Sequence, residues 1–174
     1  MELILLSGNS KMTEGWINEV AAGLKPLFSK THVYVYRHWK TGGDMIDFDH
    51  EIDALADHLK GKTDYAIFAK SAGAALAARA VTEGRISPSR CMFAGVPVNW
   101  CRKQGVPIEK WFKGLKTRSC IIQKTNDPAI GAKDLKRFLD ENGVKNYDLV
   151  EIPGEDHHYE NVAQIKDLMA DLLK

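Results

Sequence analysis

Tyr65-Ala66-Ile67-Phe68-Ala69-Lys70-Ser71-Ala72-Gly73-Ala74-Ala75-Leu76-Ala77-Ala78-Arg79-Ala80 is the stretch whose reading decides the fold. Its first part, Tyr65–Ala69, is a short, nearly continuous apolar run, the pattern of a strand covered on both faces. Its second part, Ala72–Thr82, is rich in alanine and has high helix propensity. Strand passes into helix with almost nothing between them. Such a unit belongs to a parallel sheet with right-handed helical crossovers.

The rest of the chain repeats the unit. Further strands are predicted at Glu2–Ser7, His32–Arg37, Cys91–Val98, Ser119–Lys124 and Asp148–Ile152. Helices are predicted at Thr13–Leu27, Asp49–Leu59, Ala132–Glu141 and Tyr159–Leu173, with a short one at Ile108–Leu115. Gly61, Gly84, Gly131 and Gly143 punctuate the boundaries. The expected architecture is a three-layer α/β/α sandwich with a mostly parallel sheet of about six strands, formed by residues 1–174 as one domain. Two segments, His38–Phe48 and Asn99–Pro107, read as long irregular loops.

Composition narrows the function. Of 174 residues, 44% are hydrophobic and 27% charged, enough for one sizeable core. Twenty-four Lys and Arg against twenty-three Asp and Glu leave a net charge of +1, so no basic field points to nucleic acid or an anionic membrane. No apolar run approaches the roughly 18–20 residues that span a bilayer. The opening Met1-Glu2-Leu3-Ile4-Leu5-Leu6 is too short and lacks the basic flank of a signal peptide, so it reads as the first strand. Cys91, Cys101 and Cys120 are odd in number and lack zinc-ligand or CxxC spacing. Cys91 and Cys120 fall in predicted strands as core thiols, and the expected compartment is a reducing cytoplasm.

In parallel α/β folds functional groups gather at the carboxyl ends of the strands. The turn Ala69-Lys70-Ser71-Ala72-Gly73 lies at such an end. A serine projecting from a strained strand-to-helix turn needs small residues two positions before and after it, and Ala69 and Gly73 satisfy this, with Ala in the position more often held by Gly. The following helix aims its first amides at the same point, which favours developing negative charge and makes the Ala72 amide a candidate oxyanion donor. The bland alternative is an ordinary turn with Ser71 as helix N-cap. Lys70-Ser71 also matches the end of a phosphate-binding loop, but Ala69 replaces the required Gly and the loop-opening Gly position falls at Tyr65, which rejects it.

A serine nucleophile needs a base, and the base an acid to orient it. Asp127 follows the strand Ser119–Lys124 and precedes Pro128, where a plain Asx turn is the alternative. His157 and His158 follow the last strand in Gly154-Glu155-Asp156-His157-His158. His157 is the preferred base, directly after the turn, and His158 the second choice. A metal on the adjacent pair is disfavoured, because neighbouring loop side chains diverge and no third ligand stands at metal spacing.

The order Ser71, Asp127, His157, each past a successive strand, resembles the α/β-hydrolase superfamily. Asn126-Asp127-Pro128 with Ile130 is similar to its acid loop, and Gly154-x-x-His157 to its histidine loop. The resemblance covers the chain from first strand to last helix. It implies a small, lidless serine hydrolase lacking the first two strands of larger relatives, acting on an ester or thioester without a cofactor. It further implies a second oxyanion amide from the loop after the first strand, here Asn9, with Gly8 allowing close approach. Trp39 and Trp100, beside Lys and Arg in the two irregular loops, are candidate walls of a pocket for a small-molecule ester whose apolar acyl group bears an anionic end, the alternative being that they pack the loops onto the domain while the charges stay solvated. Two alternatives stand beside the enzyme: a non-catalytic binding module on the same fold, and a nucleotide- or flavin-binding domain using the loop Ser7–Thr13.

Overall fold

Six parallel strands, in the order β2-β1-β3-β4-β5-β6, form one sheet in the computed structural model, which describes residues 1–174. The strands are β1 (Glu2–Leu6), β2 (Lys30–Tyr34), β3 (Tyr65–Lys70), β4 (Arg90–Ala94), β5 (Ser119–Lys124) and β6 (Tyr147–Ile152). Helices α1 (Glu14–Leu24), α2 (Arg37–Thr41), α3 (Phe48–Leu59), α4 (Ala72–Thr82), α5 (Val98–Lys103), α6 (Ile108–Phe112), α7 (Ala132–Glu141) and α8 (Val162–Leu172) complete the α/β/α layers.

The period of two along each strand sorts side chains between two cores. Ile4, Leu6, Ile67, Phe93 and Ile121 pack with α3 to α7, around Leu55, Leu76, Phe112, Leu135 and Phe138. Leu3, Leu5, Phe68, Met92 and Ile122 pack on the other face against Ile17, Val20 and Leu24 of α1 and Ile165 and Met169 of α8. The central strand β3 is buried along its whole length, which is why its sequence is continuously apolar. Cys91, Cys101 and Cys120 are free and buried, and burial pushes the last two thiols up to about 12 and about 11. No helix is long and apolar enough to cross a membrane.

Several boundaries differ from expectation, each for a visible reason. The second strand, expected at His32–Arg37, runs Lys30–Tyr34. Buried Glu51 draws the chain out of the sheet: its carboxylate accepts the Arg37 amide at 2.7 Å and the Tyr34 hydroxyl at 2.9 Å. The fourth strand, expected to reach Val98, stops at Ala94, because Gly95 takes φ +63° and the Val96 amide donates to the Gln123 side chain at 2.9 Å. Both supposed irregular loops contain helix, α2 and α5, too short to show a clear period. The last helix starts at Val162 under an Asn161 cap rather than at Tyr159, whose hydroxyl and carbonyl are both engaged elsewhere.

The order places β1 between β2 and β3, so the connections after β1 and β3 leave in opposite directions. The carboxyl ends of those two strands, with Leu6 opposite Ala69, mark the switch point where such folds form their crevice.

Candidate active site

Ser71 occupies the switch point with φ 54° and ψ −122°, a region non-glycine residues rarely enter. Holding it there costs about 1–3 kcal/mol. The surroundings enforce it: the Ser71 amide donates to Ala94 O at 3.1 Å and the Gly73 amide to Ser7 O at 3.0 Å. Gly73 is needed for this approach, since a Cβ there would lie 2.5 Å from Ser7 O and 2.6 Å from Leu6 O. Ala69 is fully buried, so a larger side chain has no room at that position either. The Ser71 hydroxyl does not cap α4. It donates instead to His157 Nε2 at 2.9 Å.

His157 Nδ1–H donates to the Asp127 carboxylate, 2.9 Å from both oxygens. The Asp127 side chain is fully buried, whereas His157 keeps 24% exposure. Asp127 also forms the Asx turn, its Oδ1 accepting the Ala129 amide at 2.8 Å, because Pro128 between them has no N–H. The turn and the contact to His157 therefore coexist. Gln123, buried beneath, donates to Ile130 O at 2.8 Å and accepts from Val96, tying the acid loop to the end of β4.

Two residues of this site escaped the sequence reading. Tyr159 donates its buried hydroxyl to Asp127 Oδ2 at 2.7 Å and accepts from the Lys124 amide at 3.1 Å. Burial alone would push the Asp127 carboxyl up. The bonds from His157 and Tyr159, the proximity of His157 and the Ala129 amide outweigh it and hold the group below its ordinary value. Burial, reinforced by the bond to Asp127, raises the Tyr159 phenol, which stays a donor. Gly95 is the other: a Cβ there would lie 2.7 Å from the Tyr159 ring and 2.8 Å from His157 Cε1, so only glycine leaves space for the imidazole. A lone Gly closing an apolar strand was its only signal; Tyr159 carried none beyond standing two residues past His157.

His158 is exposed, its amide donates to Asp156 Oδ1 at 2.6 Å, and its ring bonds neither Ser71 nor Asp127. It lines a cavity of about 390 Å³ with Lys124, Ile152, Tyr159 and Gln164, which none of Ser71, Asp127 and His157 reaches.

Asn9 stands in the loop after β1, beside Ser71: a Cβ on the preceding Gly8 would lie 3.6 Å from Ser71 Cβ. Its side chain accepts the Ile46 amide at 2.8 Å and donates to Asp44 O at 2.8 Å. Its carbonyl accepts from His38 Nε2 at 2.7 Å and Trp39 Nε1 at 2.8 Å. The amides of Asn9 and Ala72 donate to no acceptor within the chain. Trp39 is thus a buried brace behind the Asn9 loop, packed edge-on against Tyr36. It lines a cavity of about 300 Å³ with Asn9, His38 and Asp44. Trp100, on α5, is half-buried against the core and has no contact with Ser71, Asp127 or His157 among the site's hydrogen bonds. The hydroxyls of the Ser7–Thr13 loop bond one another, Ser7 Oγ with Thr13 Oγ1 at 2.7 Å and Thr13 with Ser10 O at 2.6 Å. No cluster of three His, Cys, Asp or Glu side chains could hold a metal ion.

No known protein family pattern matches the chain, and no curated protein matches it in sequence. Solved structures do. The esterase Pf2001 of Pyrococcus furiosus is similar with a TM-score of 0.77 and 17% identity, over 99% of this chain and 81% of that one. Est1E of Butyrivibrio proteoclasticus, solved with ferulic acid bound, is similar with a TM-score of 0.72 and 18% identity, over 99% and 89%. CarC, a serine hydrolase involved in carbazole degradation, is similar with a TM-score of 0.72 and 13% identity, over 99% and 90%. The chain has the α/β-hydrolase fold.

Proposed function

We propose that the chain is a serine hydrolase that cleaves a carboxylic ester or thioester through Ser71, His157 and Asp127. The observation that carries this is the continuous relay of 2.9 Å contacts from Asp127 through His157 to a serine held on a strained turn at a helix start. A fold alone does not make an active site, but strained backbone of this kind clusters at such sites. The esterases and the serine hydrolase named above share the fold, which supports the same chemistry.

His157 takes the Ser71 proton as Oγ attacks the carbonyl carbon. The tetrahedral oxyanion is held by the amides of Ala72 and Asn9, aided by the positive end of α4. Asp127 fixes the imidazole tautomer and stabilises its cation. His157 then protonates the leaving alcohol or thiol, and water attacks the acyl-enzyme by the same steps in reverse.

The test is labelling by a fluorophosphonate probe together with hydrolysis of an ester and thioester panel. Ser71→Ala is expected to abolish labelling and to lower kcat about 10⁴-fold or more. His157→Ala should match it, while His158→Ala should stay within a few-fold of the parent. Turnover retained in Ser71→Ala, or absence of labelling in well-folded protein, would leave the non-catalytic binding module as the better account.

A further inference from the structure

Lys70 immediately precedes the nucleophile, and no part of the relay uses it. The residue is only 7% exposed and its ammonium enters no salt bridge and no hydrogen bond within the chain, although the nitrogen itself still reaches solvent. The other buried charged side chains near the site are committed: Asp127 to three donors and Glu51 to two. Burying a cation without a partner is unfavourable, and proteins ordinarily pair it or expel it.

The position of the ammonium is informative. Strand alternation sends Lys70 to the same face as Ala66 and Phe68, above α1, where its Nζ stands 6.0 Å from the centre of the Trp16 ring. The point where a Gly8 Cβ would sit is 3.8 Å from Lys70 Nζ and 3.6 Å from Ser71 Cβ. The cation, the nucleophile and the Gly8-Asn9 loop therefore meet at one point. Burial lowers the Lys70 pKa while the charge of Asp127 works against that lowering. Asp127 is spent on His157 and Tyr159, so it does not neutralise the lysine by contact.

Resting on the serine-hydrolase assignment above, we infer that Lys70 is a substrate-binding residue and that the preferred substrate is a carboxylate-bearing ester, its anionic end seated on the Lys70 ammonium beside Ser71. One unpaired cation matches one negative charge. A carboxylate fits it better than a phosphate dianion, since the free amides of Ala72 and Asn9 are taken by the oxyanion and leave one cation for the second group. The aromatic face of Trp16 shields the pair from water and strengthens it.

The test uses a matched pair of esters, para-nitrophenyl butanoate and mono-para-nitrophenyl succinate, which differ in the terminal carboxylate. Wild type is expected to prefer the succinate ester in kcat/KM. Lys70→Met should lower the succinate-to-butanoate ratio about 10- to 100-fold, mainly through KM, and Lys70→Arg should retain much of it. Lys70→Gln serves where Lys70→Met folds poorly. A ratio near one in wild type, or a ratio unmoved by both neutral variants, would overturn the inference, the latter showing that Lys70 acts on every ester alike. A second readout separates this from failure of the hydrolase assignment: calorimetric binding of methyl hydrogen succinate to Ser71→Ala, with and without Lys70→Met. Binding weakened at least tenfold by the second change supports the anion site even where no ester is turned over. Equal binding overturns it.

Discussion

The acid corner and the lysine corner of this site lie at the carboxyl ends of β5 and β3, with β4 between them, and are built on opposite plans. At the end of β5, Asp127 is a buried anion bonded by His157, Tyr159 and Ala129. At the end of β3, Lys70 is a largely buried cation with no hydrogen bond or ion pair within the chain, only the Trp16 ring 6.0 Å away. The first corner is complete within the chain, so its charge orients a neighbour and supports the fold. The second is incomplete within the chain, which is why we assign it a ligand anion.

The sharpest way to break the comparison is at the acid. Asp127→Asn keeps the shape but loses the charge, and should lower kcat about 10⁴-fold with little change in KM, measured by steady-state ester hydrolysis. A loss below about tenfold would show that the saturated carboxylate does not direct His157.

Gly95→Ala comes next. Its Cβ would meet Tyr159 at 2.7 Å and His157 at 2.8 Å, so the imidazole must move. We expect a loss of about 1–3 kcal/mol in urea unfolding and about 10²-fold in kcat.

Tyr159→Phe removes one donor from the acid and leaves the packing. The expected cost is about 1.5–3 kcal/mol, as for a hydrogen bond to a charged group. Its pH dependence has a definite sign. The native Asp127 pKa lies below that of the unfolded chain, so this carboxylate contributes stability above about pH 4 and loses it as pH falls through the lowered native value. Without the Tyr159 bond the native value rises, and acid destabilisation should begin at higher pH. Urea midpoints from neutral pH downward would show it.

The smallest effect has the opposite direction. Lys70→Met replaces an unpaired buried charge with an apolar chain of similar length, and should stabilise the ligand-free protein by about 1 kcal/mol. A thermal melt that falls instead would mean the ammonium has a partner in solution. The two corners would then be alike, and the contrast between them would fail.

The main lines of the fold were legible because they depend on local pattern. The bounds of α4, α7 and β5 coincide with those expected, since alanine-rich, amphipathic and continuous apolar runs are each set by their own neighbours. Ser71, Asp127 and His157 could be picked out because each follows a strand, and a parallel sheet collects strand ends on one edge. Trp39 shows the limit of such reasoning. It lies in an expected loop near basic residues, yet it is buried and braces Asn9 from behind. Its part depends on which way α2 turns, and that depends on Glu51, fourteen residues away from Arg37.

The strand-to-helix stretch through Ser71 by itself determined a parallel α/β sheet and a serine at its edge, because burial on both faces and helix propensity act over a few residues. Tertiary structure alone decided what surrounds that serine. Gly95, Tyr159 and Lys70 come from three different strand ends or loops, and no local periodicity links them. Their roles follow from distance and from which polar groups find partners, quantities that exist only once the sheet has brought its carboxyl ends together.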